Sequence, residues 1–467
     1  MREYQIELEP FKYKALQNIV IQSTVNNHTE ASVTMRIKDE DQERYVAILT
    51  EQTWVKITGV GEQDGGNAVR TVLFYGLVID FMFSHDGYET ILNLKITSGS
   101  VLMDLQPHFR VFQNKDALCA DIYRKLTASY QDGMAVCMEG QENQTEGVLI
   151  QYQETDWEFL RRLAGRKGLY LVPDVTKKGV KYTIGLPQEN ERTIATDKIR
   201  IRLDVNEYME KSKNGMPTLQ SADMMELIVE DREIYRIGDS MLYQGKKYYI
   251  WQIATRYDGA ECVHTYYFRT KEALKVLPMV HPEVTGCSFD AVITDVRKDK
   301  VQVEIAQDEW QAADGKKWFL YSTVYSSADG TGWYCMPEIG DSVRLYVPEK
   351  EEDGFIISAV HKETDSARQN PDYKSLKTKY GKEILFTPDS ILLTNNQGMI
   401  VELNDSEGIT ITSDKDIVIE ADENLTIASA NASLLIAAND IVQVKQGGTT
   451  MTLSEDISFT GGEFRIQ

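Results

Sequence analysis

The run GITITSDKDIVIEADENLTI, residues 408–427, contains a repeat of eight residues. Three turn-forming residues, Gly408, Asp416 and Asn424, are each followed by an apolar residue, any residue and a second apolar residue. Alternate side chains of a strand lie on one face, so each repeat predicts a short strand followed by a turn. We call this eight-residue unit an octad.

The octads continue towards residue 467. Steps of eight from Gly408 reach Asp416, Asn424, Ala432, Asp440, Gly448 and Asp456, and six of these seven first positions are turn formers. The positions one and three residues later are mostly apolar, which predicts that they face a common core. The predicted core residues are Ile409, Ile411, Ile417, Ile419, Leu425, Ile427, Leu435, Ile441, Met451, Ile457 and Phe459.

One octad supplies only one wall of a core, so the remaining walls must come from elsewhere. Either three successive octads of one chain form a coil, or three chains wind together and each layer holds one octad from each chain. We favour the intertwined trimer, because the sequence has no globular cap to shield the end of a lone coil. An intertwined trimer also leaves no lateral strand edge exposed.

Composition limits the classes of function. The 467 residues include 50 Lys and Arg against 72 Asp and Glu, a net charge of −22, which argues against a nucleic-acid partner. The five cysteines are dispersed and form no CxxC pair, which favours reduced thiols in a cytosol. The start, MREYQIELEPFKYK, has no apolar core of a secretory signal, and no run of apolar residues predicts a membrane span.

The chain before the octads reads as β-rich. In residues 1–276, Val33, Met35 and Ile37 alternate with polar residues, and Leu73–Phe83 predicts a long strand or hairpin bounded by the glycine-rich run GVGEQDGGN. Two helices interrupt this region. One has Leu118, Ile122 and Leu126 at every fourth position.

The second helix has a stronger signature. In QYQETDWEFLRRLAGRKGLYLVPD, residues 151–174, Thr155 lies three residues before Glu158 as in a capping box. Gly168 can adopt the left-handed backbone conformation that ends a helix. We interpret both helices as core-packing elements beside the β-units.

A change of composition at Leu277–Gly286 places a boundary there, and residues 277–362 predict five short strands. Five strands joined by polar turns fit a small closed barrel of the oligonucleotide/oligosaccharide-binding (OB) type. The acidic run PEKEED, residues 348–353, argues against oligomer binding, so we interpret the barrel as structural. The predicted strands are Cys287–Asp295, Lys300–Ile305, Trp318–Val324, Ser342–Val347 and Phe355–Val360.

Residues 363–380 predict a polar linker, and residues 381–467 predict the octad needle. The needle contains no Cys, His or Trp, and its net charge is −10, from four basic and fourteen acidic residues. The predicted fold class is therefore mainly β, with two barrel-like units carrying helical insertions, then an OB-fold barrel, then an intertwined trimeric β-helix or β-prism.

Four stretches of the sequence resemble one known family. They are HFRVFQNK (108–115), QYQETDWEFLRRLAGRKGLYLVPD (151–174), GWYCMPEIGDSVRLYVPEKEEDGFIISAVH (332–361) and NPDYKSLKTKYGKEI (370–384). Their order and content resemble the VgrG family, the trimeric spikes of type VI secretion and related contractile injection systems, and the baseplate hubs of phages. The octads depart from that family in reading Ile-x-Ile or Leu-x-Ile, where relatives often have Val-x-Gly.

The resemblance implies a homotrimeric hub and spike, with residues 1–276 as the hub. Three protomers, each with two β-units, would present six similar faces to the hexameric ring of a tail-tube protein, and the needle would pierce the target envelope. The implied partners are the tube protein, other baseplate components and effector cargo. The implied location is the cytoplasm during assembly, followed by delivery through the target membrane, and no cofactor is implied.

Two other functions stay open on the residues alone, a trimeric receptor-binding tail fibre and a glycan-cleaving tailspike. No GxSxG elbow, Walker A loop or HExxH helix occurs, and the six histidines are dispersed, so we expect no catalytic or metal site. Paired carboxylates such as Asp414 and Asp416 lie at octad turns, where solvated corners are the simpler interpretation. No Trp or Tyr follows Ile400, which disfavours an aromatic glycan groove.

The last residues predict a binding surface at the end of the needle. Gly461 and Gly462 interrupt the strand pattern, and the following residues restore it for one more wall. Relatives that sharpen their own tip use histidine-bound metal, and no histidine follows His361. We therefore expect a separate small conical protein to pair with strand edges formed by Glu463, Phe464, Arg465, Ile466 and Gln467.

Overall fold

The structure is a computed structural model that describes residues 5–49, 52–62, 68–187, 190–194, 198–311, 315–361 and 370–460. The chain divides into two compact units, Met1–Lys362 and Glu363–Gln467. Strands greatly outnumber helices in both units, which confirms the predicted mainly β class.

The first unit is built on one antiparallel sheet of eleven strands, in the order β1-β4-β5-β6-β3-β2-β15-β16-β13-β12, with β14 paired to β15. The two predicted β-units are therefore two groups of strands in a single sheet, joined where β2 pairs with β15. The strands are β1 (Gln5–Glu9), β2 (Ala15–Thr24), β3 (Glu30–Ile37), β4 (Trp54–Glu62), β5 (Ala68–Asp86), β6 (Glu89–Ser98), β12 (Arg200–Leu203), β13 (Met225–Asp231), β14 (Ser240–Tyr243), β15 (Lys246–Tyr257) and β16 (Cys262–Arg269).

Alternation along the strands builds the core of this sheet. Val33, Met35 and Ile37 of β3 are buried, which confirms the alternation read from the sequence. The predicted strand Leu73–Phe83 lies inside the longer β5. The glycine-rich run of nine residues is not all loop, because Gly59 and Gly61 lie in β4, where they pair with β5.

The helical insertion contains the two predicted helices. They are α2 (Cys119–Thr127) and α3 (Asp156–Gly165), and they pack on a small sheet of β8 (Met134–Cys137), β10 (Leu171–Pro173) and β11 (Lys181–Ile184). A separate two-stranded ribbon, β7 (Pro107–Phe112) paired with β9 (Leu149–Thr155), precedes α3. Further helices in the described part of the unit are α1 (Gln42–Ile48), α4 (Val205–Lys213) and α5 (Lys271–Leu274).

The capping box predicted for α3 is confirmed. The backbone N–H of Glu158 donates to Thr155 Oγ1 at 3.2 Å, and the backbone N–H of Thr155 donates to Glu158 Oε2 at 2.9 Å. Gly168, three residues beyond the helix, has φ +68°, the left-handed conformation expected of it.

Five strands after the helical region form a ring. They are β17 (Ser288–Arg297), β18 (Lys300–Ile305), β19 (Phe319–Leu320), β20 (Ser342–Tyr346) and β21 (Phe355–Ile357), in the order β19-β18-β17-β20-β21. A parallel bridge between Tyr321 and Ile356 joins the two end strands, and the N–H of Ser322 donates to Ile356 O at 2.8 Å. We call these five strands the ring.

The second unit contains two antiparallel sheets. Five consecutive strands form the first, β22 (Lys374–Lys377), β23 (Glu383–Phe386), β24 (Ser390–Thr394), β25 (Ile400–Asn404) and β26 (Gly408–Thr412). Three form the second, β27 (Val442–Gln446), β28 (Thr449–Leu453) and β29 (Ile457–Thr460). Strand β22 lies within residues predicted as linker, because Lys374–Lys377 finds a pairing partner in β23.

Candidate functional site

The octad residues predicted as a trimer core form no core within one chain. Ile419 is 63% exposed and Leu435 is 85% exposed, although both side chains are purely apolar. Met451 is half-buried, and the side chain of Phe459 lies outside the described residues. The exposed members are Ile409, Ile411, Ile417, Ile419, Leu425, Ile427, Leu435, Ile441 and Ile457.

The first octad lies in β26, at the edge of the five-stranded sheet. Ile411 lies opposite Val401 of β25, and Val401 lies opposite Leu393 of β24, so the three side chains form an apolar column on one face. Ile409 continues a second column on the same face through Leu403. This sheet therefore presents an apolar face that its own chain leaves open to solvent, as the exposure of Leu393 and Ile411 shows.

The three central octads differ from the prediction of one strand each. Residues 413–441, all of them described, contain no strand. These residues therefore lack, within the described chain, the ladder partner that defines a strand.

The last three octads also differ, because they reverse direction. Strands β27, β28 and β29 form an antiparallel meander in which Val442, Leu453 and Ile457 lie opposite one another. A two-residue loop, Gly447–Gly448, makes the first reversal, and Gly447 has φ +53° there. Glycine adopts that conformation without a steric penalty, which permits the tight hairpin.

The predicted tip residues Glu463, Phe464, Arg465, Ile466 and Gln467 lie outside the described residues. Within the described part, β29 is the end strand of its sheet and pairs on one side with β28. Its other side carries backbone groups available to an added strand.

A buried ion cluster lies between the ring and the helical insertion. Arg162 of α3, 4% exposed, donates from Nε and Nη2 to the two oxygens of Glu154 at 2.7 and 2.8 Å. Its Nη1 donates to both oxygens of Glu351, at 2.9 and 3.0 Å, and Glu351 is 3% exposed. Glu351 also accepts from the backbone N–H of Ile150 at 2.9 Å, so every strong group of the pair is satisfied.

The charges in this cluster shift one another's pKa values. Burial alone would lower the pKa of Arg162, but the hydrogen bond to Glu154 and the charge of Glu351 raise it. Burial raises the pKa of Glu154 against the opposing effect of Arg162. Burial, helped by the charge of Arg162, lowers the pKa of His281, whose Nε2 lies 2.9 Å from Tyr152 O.

A second set of contacts lies along the other edge of the ribbon, on β7. The loop after β18 places Asp308 Oδ1 3.2 Å from the N–H of Val111, and Glu309 exchanges two hydrogen bonds with the backbone of Phe109. The guanidinium group of Arg110 lies over the ring of Trp310, with its central carbon 4.8 Å from the ring centroid. Both edges of the ribbon are therefore held by loops of the ring.

Sequence reading missed this cluster. Arg162 lies inside a stretch that was singled out, but it was interpreted only as part of a core-packing helix, and Glu351 was considered only as part of the acidic run PEKEED. The available signal was an arginine on the apolar side of a helix, three residues after Phe159, which is buried. Such an arginine requires carboxylate partners, which sequence spacing does not identify.

The eleven-stranded sheet, which we call the hub sheet, borders a cavity of about 320 Å³. Ser23, Thr255 and His264, from the neighbouring strands β2, β15 and β16, line it together with Arg236 and Asp239. His264 Nδ1 lies 2.7 Å from Thr255 Oγ1, and burial lowers the pKa of His264 to about 4.

No group of three or more His, Cys, Asp or Glu side chains is arranged to hold a metal ion in the described residues. No helix in that part of the chain is long and apolar enough to cross a membrane.

Comparisons with known proteins agree with the resemblance read from the sequence. The family model of the phage tail baseplate hub (GPD) matches residues 25–195, which include two of the four stretches that carried the resemblance. No curated protein sequence matches the chain.

Two of the similar solved structures come from type VI secretion. One is the E. coli c3393 protein, described as a component of the type VI secretion system similar to the T4 tail proteins gp27 and gp5. It matches with 12% identity and a TM-score of 0.50, over 76% of this chain and all of that one. The other is the Francisella PdpA-VgrG complex in its lidded form, with 10% identity and a TM-score of 0.56, over 88% of this chain and 80% of that one.

At these identities the structural matches establish the fold, while the family model matches the sequence itself. The family model covers strands β3 to β6 of the eleven-stranded sheet and the helical insertion. Residues 25–195 therefore carry the sequence pattern of the phage tail baseplate hub family, in a chain with the fold of the VgrG hub proteins.

Proposed function

We propose that three copies of this chain form the hub and spike of a contractile injection system. The observation that carries the proposal is the exposure of the octad side chains, because eight of the predicted core residues, from Ile409 to Ile441, are open to solvent in one chain. Fully burying such a side chain stabilises a protein by about 1.5–3 kcal/mol, so a single chain lacks on the order of 10–20 kcal/mol of stabilisation that burial of these side chains would give. That is comparable to the entire stability of a typical domain.

Other copies of the same chain are the partners best suited to this surface. The apolar columns of β24, β25 and β26 end in the first octad, and the central octads continue the same apolar positions without a strand partner of their own. Three chains would give each layer three walls and each strand a neighbour. The result would be an intertwined β-prism, and the ring would serve as an OB-type barrel.

In this proposal the hub sheets of three protomers receive a hexameric tail tube, and the needle pierces the target envelope when a sheath contracts. The chain acts mechanically, without catalysis and without a cofactor. Baseplate proteins surround it, and it is assembled in the cytoplasm before delivery. The Francisella structure, a complex of VgrG with PdpA, supports the idea that such a hub carries cargo.

The test is the double substitution Ile419→Asp with Ile427→Asp. It places six carboxylates of three chains about one axis, and a buried unpaired charge costs several kcal/mol. We expect wild-type protein to sediment as a trimer and the double variant to sediment as a monomer whose first unit is still folded.

The matched control is Glu420→Gln with Glu423→Gln, which changes charges at octad corners and should leave the trimer intact. A wild-type monomer with full β content at micromolar concentration would overturn the proposal. So would a double variant that stays trimeric.

A further inference from the structure

The ring is joined to the rest of the first unit by one covalent connection and by side-chain contacts with the ribbon and the helical insertion. The chain leaves α5 at Leu274 and enters β17 at Ser288. Between them lies a connector that contains no strand and only a short turn, Pro282–Val284, of helical type. All residues of this connector are described, so the backbone alone holds the ring by a single segment.

The ribbon β7–β9 belongs to the ring by packing, although it belongs to the hub region by sequence. Val111, Val148 and Ile150 are fully buried and share one apolar cluster with the ring residues Ile293 and Val303. The face of the ribbon thus forms an outer layer of the ring core. Separating ring from hub would expose these side chains to water.

Ionic contacts hold the ribbon along both of its edges. On the β9 edge Glu351 of the ring bonds both Arg162 of α3 and the N–H of Ile150, while Arg166 bonds the neighbouring Glu352 at 2.9 Å. On the β7 edge Glu309 of the ring bonds Phe109 and His108 of the ribbon, at 3.0 and 2.9 Å. The two edges are reached by different loops of the ring, one before β21 and one after β18.

We propose that the ribbon and its two sets of ionic contacts form a joint that locks the ring to the hub, and that the Arg162–Glu351 pair is its latch. The location of the joint follows from the contacts. Only the direction in which force would pass through the joint, from hub towards needle, rests on the proposed function.

A buried ion pair can act as a latch, because breaking it leaves an unpaired charge in the protein interior, which destabilises the fold. While the pair is intact, Arg162 has all its strong donors satisfied by Glu154, Glu351 and the carbonyl of Ile150. If the ring moved by even a few ångströms, Glu351 would leave a buried guanidinium short of one carboxylate. Partial movement is therefore unfavourable, and ring and hub should move as one body.

The experiment is native-state hydrogen exchange on the full chain carrying Glu351→Gln. Glutamine keeps the size of the side chain and an oxygen that can accept from Ile150, but it removes the charge opposite Arg162. We expect amide exchange in β17 and β18 of the ring to accelerate at least about 100-fold, as expected for breaking a buried pair. Exchange in β2 and β3 of the hub sheet should stay at the wild-type rate.

Glu352→Gln is the matched control, because Glu352 is adjacent in sequence and its pair with Arg166 is partly open to solvent. It should leave both regions at the wild-type rate. If Glu351→Gln does not fold, Glu351→Asp is measured instead, since it keeps the charge and withdraws it by one methylene.

Two results would overturn the proposal. One is unchanged exchange in the ring of the Glu351 variant. The other is equal acceleration of ring and hub sheet, which would indicate general destabilisation without a separate joint. Sedimentation of the same samples reports the trimer independently, so a failure of the proposed function is distinguishable from a failure of the joint.

Discussion

His264 is a buried base in the hub sheet, and it gives the fold a defined sensitivity to acid. The residue is 2% exposed, and burial lowers its pKa to about 4 from an ordinary value of 6.5. Asp231 raises this pKa slightly and Arg236 lowers it. Its Nε2 lies 3.8 Å from Cys262 Sγ, where it finds only a weak partner.

We predict that the stability contributed by neutral His264 is lost as the pH falls from 6.5 to 4. Over this window the unfolded chain binds a proton at the histidine, whereas the folded chain does not, so protonation favours unfolding. The depressed pKa is equivalent to about 3 kcal/mol at the acid end. As the pH is lowered from 6.5 to 4, the urea unfolding midpoint of the wild type should therefore decrease more steeply than that of His264→Gln.

His361→Gln is the control for this measurement, because His361 is exposed in the same unit. Equal pH slopes for the wild type and the His264 variant would contradict the prediction. The sequence alone did not suggest this role, since the histidines were judged only as metal ligands. Burial of a histidine depends on which strands become neighbours, here β15 and β16.

At the scale of elements, helix starts that depend on hydrogen bonds between near neighbours were predictable from the sequence. Strands that depend on pairing with distant residues were less so. The capping box of Thr155 predicted the start of α3 because both hydrogen bonds are made within four residues. The similar signal at Asp204, whose Oδ1 accepts from the N–H of Glu207, was overlooked, and it starts α4. The last predicted ring strand, Phe355–Val360, ends at Ile357 because Ser358 adopts φ +46°, outside the strand region.

The strand count of the second unit predicts the length of the needle. If three chains stack their strands along one axis, each strand or octad advances the axis by about 4.8 Å. The eight strands β22–β29 and the three central octads would then form a rod of roughly 50 Å, longer than the roughly 33 Å given by seven octads alone. Negative-stain microscopy of the purified trimer measures this length.

A variant lacking residues 413–436, which removes three octads, is the matched comparison for the rod. It should be shorter than the wild type by roughly 14 Å. Equal lengths, or a wild-type projection shorter than about 20 Å, would show that the octads are not stacked one per layer.

At the scale of the whole molecule, the proposed trimer predicts a partner for the strand edges near residue 467. Strand β29 is the end strand of its sheet, and the residues that follow it, Glu463–Gln467, were predicted to pair with a small conical protein. We expect deletion of Gly462–Gln467 to abolish co-purification with a tip protein encoded in the same gene cluster. Undiminished binding by a truncated chain that still sediments as a trimer would contradict this.

The whole-molecule architecture was predictable where the repeat or the family pattern fixed it. The mainly β class and the hub resemblance follow from residues that lie close together in the sequence, such as those of 151–174. The joint between ring and hub was not predictable, because Arg162 and Glu351 are distant in sequence and neither has a pattern that identifies the other. Contacts of this kind depend on the completed fold.

The open stretch 413–441 has a consequence for how the protein must be made. A single chain carries exposed isoleucine and no strand there, and a segment of this kind is prone to proteolysis and to aggregation with other unfinished chains. If three copies assemble as proposed, burial of this stretch depends on how quickly one chain meets two others, and the rate of that encounter rises steeply with local concentration. Synthesis of many copies from one message would then favour assembly over degradation.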